Sequence, residues 1–275
     1  MSDRSRLAVL GSPIEHSRSP QLHLAAYRVL GLDWSYDRVE VDDAGLDAFV
    51  AGLDTSWRGL SLTMPLKRRV AELVPELDEV ARRTRQGNTI LLDRGRAVKA
   101  FNTDVHGILA ALGGAGVASA GRATVLGGGA TAESAVVALG ELGTEVTVAV
   151  RDVEKVARSG TFAHTTLVRL GPDADAALAA SDVVVSTLPP GADLAASIAP
   201  PPPLDAAQTL LDVAYAPWPT PLASAWQNAG GRIVHGLEML LHQAVHQVRI
   251  FVAGDPAVPL PREPEVIRAM RAAVE

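Results

Sequence analysis

The chain has 275 residues, with 25 Lys and Arg against 31 Asp and Glu, a formal charge of −6 at pH 7. One hydrophobic core is near its limit at that length, so two domains or one large α/β domain are expected, and 48% hydrophobic with 20% charged residues exclude wholesale disorder. The acidic balance argues against a nucleic-acid binder, and the absence of cysteine removes disulfides, thiolate metal sites and cysteine nucleophiles together.

Short β-branched runs alternate with helical periodicity along the chain. Met1 to Arg6 is polar, so no secretory signal is expected. Leu7 to Leu10 predicts a strand ended by Gly11, and Pro20 to Leu30 a helix closed by Gly31. Trp34 to Val41 alternates as a strand does; Asp43 to Ala51 predicts a short helix. Gly59 to Thr63 is a strand, and Pro65 sits where a helix begins. Thr89 to Leu92 and Ala97 to Phe101 flank Arg94-Gly95, a hairpin signal. Asp104 to Leu112 is helical and runs into Gly113-Gly114-Ala115-Gly116.

A second series follows. Ala123 to Leu126 is a strand, Gly127 to Gly129 a turn, and Thr131 to Leu142 a helix. Glu145 to Val150 is a strand and Asp152 to Arg158 a helix. Thr165 to Val168, Val183 to Val185, Thr209 to Val213 and Arg232 to Val234 are further strands. Ala199 to Pro203, with its run of prolines, reads as an extended surface segment. Gly236 to Ala253 is the longest helical pattern, and Glu265 to Val274 the last. Strands alternating with helices imply a parallel sheet with helical crossovers. The glycine break at 113–116 and a second break near His235 predict two domains, one of 1–112 with 236–275 and one of 113–235. The expected class is therefore a two-lobed α/β protein with a site in the cleft between the lobes. No apolar run reaches the roughly eighteen residues of a membrane span. Expected partners are small molecules rather than nucleic acid or membrane, in a cytoplasmic monomer or homodimer.

The polar clusters carry the chemistry. Gly127-x-Gly129-x-x-Ala132 follows a strand and opens a helix, the context a dinucleotide fingerprint requires. Its glycines let backbone N–H groups approach a pyrophosphate at a helix N-terminus, and Gly128, Ala130 and Thr131 complete the turn. Glycine-rich turns also join strands to helices for packing alone. Arg151 stands where an NAD enzyme tends to place an acid, and an arginine there pairs with a 2′-phosphate, which points to NADP. Asp152 follows it, either as a ribose acceptor or as the cap of the next helix. Ser17 and Ser19 precede a helix N-terminus and suit a carboxylate, though Ser19 also reads as a helix cap. Strand alternation sends Ser61 and Thr63 to one face. Lys67 falls in the first turn of the following helix, where the dipole disfavours a cation and so suits a proton shuttle; it also reads as one exposed base beside Arg68 and Arg69. Asp104 reads as an N-cap or as the partner of Lys67. Asn88, Tyr215 and Gln243 lie in further polar strings, Gln243 sharing a helix face with Gln247.

Taken together these segments resemble the shikimate dehydrogenase family. The matching strings are Gly-Ser-Pro-Ile-Glu-His-Ser-Arg-Ser-Pro at 11–20, Thr-Met-Pro-Leu-Lys at 63–67, Asn-Thr at 88–89, Asn-Thr-Asp at 102–104, the glycine loop, Tyr215 and Gly-Leu-Glu-Met-Leu-Leu-His-Gln at 236–243. The resemblance implies a substrate domain, a Rossmann-type NADP domain, and reversible reduction of 3-dehydroshikimate to shikimate on the way to chorismate and aromatic amino acids. It implies Lys67 as acid/base with Asp104, and no metal. Ser17, Ser19 and Tyr215 would hold the substrate carboxylate; Ser61, Thr63, Asn88, Asp104 and Gln243 would meet its hydroxyls. The implied cofactor residues are Gly127, Gly128, Gly129, Ala130, Thr131, Ala132, Arg151, Thr187, Gly236 and Met239, although Met239 also reads as core. Ser61 departs from a frequent asparagine, and Asp152 from a threonine, so a quinate/shikimate dehydrogenase using NAD stays open, as does a non-catalytic sensor of a dinucleotide or cyclic acid.

Overall fold

The computed structural model describes residues 5–189, 191–192 and 198–275. Residues 1–4 of the polar N-terminal stretch lie outside them. The chain forms two compact units, Met1–Asp104 with Leu240–Glu275 and Val105–Met239.

The first unit begins with β1 (Arg6–Gly11), α1 (Ser19–Leu30), β2 (Ser35–Glu40), α2 (Leu46–Ala51) and β3 (Trp57–Leu62). It continues through α3 (Lys67–Leu73), β4 (Glu76–Leu77), α4 (Glu79–Thr84), β5 (Thr89–Asp93) and β6 (Arg96–Phe101). Its sheet has the order β2-β1-β3-β5-β6-β4. The first three strands are parallel, whereas β5 runs antiparallel to both β3 and β6. The expected parallel pairing holds for β1 to β3, and the hairpin expected at Arg94-Gly95 supplies the antiparallel pair β5 and β6. A two-residue turn forces antiparallel neighbours, and both its residues have positive φ, Arg94 at 48° and Gly95 at 78°. Gly95 is needed for space as well, since a Cβ there would lie 2.2 Å from the Asp54 carbonyl oxygen. The sheet buries Leu10, Leu60, Leu62, Leu66, Val70 and Ile90 in one mainly aliphatic cluster with Trp57.

α5 (Asp104–Gly114) leads into the second unit, followed by β7 (Arg122–Leu126), α6 (Ala130–Glu141), β8 (Glu145–Val150) and α7 (Val153–Arg158). Then come β9 (Thr166–Arg169), α8 (Pro172–Ala179), β10 (Val183–Ser186), β11 (Thr209–Asp212), α9 (Pro221–Asn228) and β12 (Arg232–His235). All strand pairs of this sheet are parallel, in the order β12-β11-β10-β7-β8-β9. The expected crossovers hold here. α10 (Gly236–Ala253) and α11 (Glu263–Ala272) complete the chain. Residues 199–202 carry no regular structure. No described helix is long and apolar enough to cross a membrane.

Several boundaries differ from expectation, each for a local reason. The units divide at 104/105 and 239/240, not at the glycine break and His235. α5 runs straight through Gly113 and Gly114 and turns only at Gly116, so the chain changes unit where the helix starts. α10 likewise stays whole across its division. Ser19 is not the α1 cap; it lies inside the helix, and the Ser17 hydroxyl accepts from its N–H at 3.3 Å. α4, α8 and α9 are too short for a periodic pattern, although Asp78 and Thr220 cap two of them through side-chain oxygens.

α1 presents a histidine to the interior. His23 is fully buried, with its ring stacked on Tyr36 at 4.0 Å and its nitrogens 3.1 Å from Tyr27 Oη and from Gln247 Oε1. Burial lowers its pKa to about 3. A histidine that stays neutral in the fold but protonates near pH 6.5 when unfolded makes the unfolded chain the better proton binder between those values. Its contribution is complete above pH 6.5 and is lost as the pH falls toward 3, by up to about 1.4 kcal/mol per pH unit. Urea unfolding midpoints should therefore fall more steeply over that window in the wild type than in His23→Gln; parallel curves would contradict a buried neutral histidine.

Candidate active site

The polar strings of the first unit converge because of strand direction. β1 and β3 are parallel neighbours, so the segments holding Ser17–Ser19 and Thr63–Lys67 leave the same edge of the sheet. β5 is antiparallel to β3 and β6 to β5, with Ser61 opposite Thr89 and Thr89 opposite Phe101. Asn88, just before β5, and Asn102 to Asp104, just after β6, therefore reach that edge too. Outside the carboxyl ends of strands is where open α/β sheets bind ligands.

At its centre Lys67 Nζ lies 2.5 Å from Asp104 Oδ2, the side chains 12% and 5% exposed. Asp104 is therefore a partner of Lys67 and not merely a cap. Its backbone is held by Asn102, whose Oδ1 accepts from the Asp104 N–H at 3.0 Å. The other carboxylate oxygen of Asp104 accepts from Asn88 Nδ2 at 2.8 Å. Asn88 Oδ1 accepts from the Thr103 N–H at 3.0 Å and the Thr89 hydroxyl at 2.9 Å, which fixes the amide with its nitrogen toward the acid. Gln243 joins this group: its Oε1 accepts from the Thr103 hydroxyl at 3.3 Å and its Nε2 donates to the Leu240 carbonyl at 2.9 Å. Thr63 is half-buried, its N–H donating to the Leu10 carbonyl at 2.9 Å. Ser17 is held through its carbonyl by Arg38 Nε at 2.8 Å.

Ser61 departs from the expected substrate contact. It is 3% exposed, donates its one hydrogen to Gln247 Oε1 at 3.0 Å, and accepts from Tyr36 Oη at 2.7 Å. The hydroxyl lies beneath the site and supports it. Tyr36 also bonds Ser19, and burial pushes its phenol further up from its usual range. Gln247, His23, Tyr36 and Thr89 were not assigned roles from sequence. The signal for Gln247 is its spacing from Gln243, one helical turn along the same face.

The second unit carries the glycine loop. Counted from β7, its strands run 3-2-1-4-5-6 from the β9 edge, the order whose reversal lies between β7 and β10. Gly127 to Gly129 follow β7, and Thr187 follows β10, so both stand at that reversal. Gly127 has φ of 113°, and a Cβ there would lie 2.5 Å from Thr187 Oγ1, which itself donates to the Leu126 carbonyl at 2.8 Å. Gly129 begins α6 without a side-chain cap, and a Cβ on it would meet nothing within 4 Å. An open, side-chain-free turn at the start of a twelve-residue helix fits a pyrophosphate. Thr131 is half-buried, Ala130 likewise, and Ala132 is fully packed. Gly128 packs against Val150 and Val156.

Arg151 is exposed at the end of β8, its carbonyl accepting from Arg169 Nη1 at 3.0 Å, while Arg169 pairs with Glu154. Asp152 caps α7, accepting from the Lys155 N–H at 2.9 Å, and that bond holds its carboxyl below the usual range. One of its carboxylate oxygens is thus engaged by the helix. Tyr215 is half-buried in the segment after β11. That segment is held by Asp212, which accepts from the Thr220 hydroxyl at 2.6 Å and the Ala214 N–H at 3.2 Å; burial raises the Asp212 pKa. Two further expected cofactor residues are closely packed. A Cβ on Gly236 would lie 2.4 Å from the Val213 carbonyl oxygen, and Met239 is buried. Among the described residues no group of three or more His, Cys, Asp or Glu converges as a metal site would.

Residues 9–90 match the model of the shikimate dehydrogenase substrate binding domain. The shikimate dehydrogenase (NADP+) of Archaeoglobus fulgidus is 34% identical over 275 residues, spanning 96% of this chain and 98% of its own length. The crystal structure of Mycobacterium tuberculosis shikimate dehydrogenase is 41% identical with a TM-score of 0.79, covering 98% of both chains. The Thermus thermophilus shikimate 5-dehydrogenase, solved in complex with NADP(H) and shikimate, is 28% identical with a TM-score of 0.82, covering 98% of this chain and 99% of its own. Together with the buried Lys67–Asp104 pair and the glycine loop at the strand reversal, this similarity places the chain in the shikimate dehydrogenase family.

Proposed function

We propose that this chain interconverts 3-dehydroshikimate and shikimate with NADP(H), a step toward chorismate and the aromatic amino acids. The observation that carries the reading is the 2.5 Å pair of Lys67 and Asp104 at the carboxyl edge of the first sheet. A pure binding protein has no use for a buried ammonium held against a carboxylate beside a set of neutral hydrogen-bonding groups.

NADPH, when bound, supplies the hydride to the ring ketone. Lys67 gives its proton to the carbonyl oxygen as negative charge develops there, and its charge stabilises that oxygen beforehand. The side chain keeps enough exposure to regain a proton from water. Asp104 fixes the ammonium and, held by Asn88, keeps one carboxylate oxygen turned toward it. The hydroxyls of Ser17 and Ser19, with Tyr215, take the substrate carboxylate. Thr63, Asn88, Asp104 and Gln243 take ring hydroxyls, and Ser61 supports them from below. Gly127 to Ala132 take the pyrophosphate, Thr187 buttresses the loop, and Arg151 takes the 2′-phosphate. The fact that Asp152 is engaged in capping α7 favours NADP over NAD. A cytoplasmic location goes with this reading, and the lack of cysteine suits it.

Two outcomes follow from these roles. Lys67→Ala should lower kcat by about a thousandfold while KM for 3-dehydroshikimate moves by less than about threefold, read from NADPH absorbance. Full turnover in that variant would refute the mechanism. Arg151→Ala should raise KM for NADPH about tenfold and leave rates with NADH unchanged. A wild-type preference for NADH would overturn the assignment of Arg151.

A further inference from the structure

We propose that Gln247, oriented by His23, is a positioning residue for the Lys67–Asp104 pair. For the chemistry it serves, this inference rests on the proposed reduction; for the geometry it rests on the hydrogen bonds alone. Gln247 lies on α10 one turn beyond Gln243 and is buried. Its Nε2 donates to the Asn88 carbonyl at 3.2 Å and to Thr89 Oγ1 at 3.0 Å. Its Oε1 lies 3.0 Å from Ser61 Oγ and 3.1 Å from His23 Nε2. All four hydrogen-bonding positions of the amide are used.

The direction of these bonds is fixed. A carbonyl only accepts, so Asn88 O requires the amide nitrogen of Gln247 to face it. The amide oxygen must then face His23 and Ser61, and both must donate. His23 therefore carries its hydrogen on Nε2, and its Nδ1 accepts from the Tyr27 hydroxyl. The depressed pKa of His23 agrees with a neutral ring, and its cause is burial. Beyond Gln247 the polarity continues. Thr89 receives a hydrogen from Gln247 and so gives its own to Asn88 Oδ1. Asn88 Nδ2 is thereby turned to Asp104 Oδ1, leaving Oδ2 for Lys67. In the other direction Ser61 receives from Tyr36, which also bonds Ser19. One amide thus registers the acid/base pair against the segment that carries Ser17 and Ser19. Replacing it with an apolar side chain leaves buried donors and acceptors without partners and frees Asn88 to turn.

The chain offers a readout that does not depend on turnover. It has three lysines, Lys67, Lys99 and Lys155. Lys99 on β6 pairs with Glu76 on β4 and reports on the same unit's fold, and Lys155 lies on α7 of the other unit. Acetylation by acetic anhydride, resolved residue by residue by mass spectrometry, should run roughly fivefold faster at Lys67 in Gln247→Met than in the wild type, with Lys99 and Lys155 unchanged. Gln247→Glu, which keeps the shape but loses both donors, should do the same. His23→Phe keeps the stack on Tyr36 but loses the hydrogen bond and should share the effect; His23→Gln, which restores a donor, should return Lys67 toward the wild-type rate. In the same variants kcat for 3-dehydroshikimate should fall at least about tenfold with KM within about threefold. An unchanged Lys67 rate in folded Gln247 and His23→Phe variants, or a rise shared by Lys99, would overturn the proposal. A wild-type enzyme inert toward 3-dehydroshikimate but showing the Lys67 effect would instead refute the proposed reaction and leave the positioning role standing.

Discussion

An ammonium and a carboxylate taken out of water in contact are the constraint on which the first unit is organised. Lys67 and Asp104 meet at 2.5 Å with little solvent around them. Desolvating two charges costs several kcal/mol each, and their attraction offsets that only when the remaining lone pairs and hydrogens are satisfied. The surroundings meet this requirement. Asn88 serves the second carboxylate oxygen, Asn102 anchors the Asp104 backbone, and the Asn88 amide is pinned by Thr89 and Thr103. Removing one of these groups exposes a neighbour's cost, so the cluster behaves as a unit.

The two sheets contribute in different ways. The mixed sheet of the first unit brings four chain segments to one edge, because the antiparallel pair β5 and β6 turns Asn88 and Asp104 back toward the ends of β1 and β3. The parallel sheet of the second unit opens its strand reversal beside a glycine turn and a helix start. Both proposed ligands are anions, whereas the chain carries a formal charge of −6. Overall charge cannot draw them in. Under the proposed function that falls to local features: the Lys67 ammonium, the Arg151 guanidinium, and backbone N–H groups at the start of α6.

Much of this was legible in the sequence where a local pattern carries the information. The second unit's strands, the hairpin at Arg94-Gly95 and the long helix α10 follow from periodicity and turn chemistry. The glycine loop could be read from the strand before it and the helix after it. The choice between cap and ion-pair partner for Asp104 could not, because it depends on Lys67, 37 residues away in sequence. Ser61 failed as a substrate contact for the same reason: its partners, Tyr36 and Gln247, are 25 and 186 residues away in sequence. Gly113 and Gly114 looked like a break, yet α5 continues through them because the helix is held elsewhere by buried Val105, Ile108 and Leu112.

If the Lys67–Asp104 contact is the centre of the chemistry, its two members must act together. The direct test is a double-mutant cycle in kcat with Lys67→Met and Asp104→Asn. The account predicts that Asp104→Asn lowers kcat by about a hundredfold in the wild-type background but by less than about threefold once Lys67 is gone. Losses that simply multiply, with Asp104→Asn costing as much without Lys67 as with it, would contradict it.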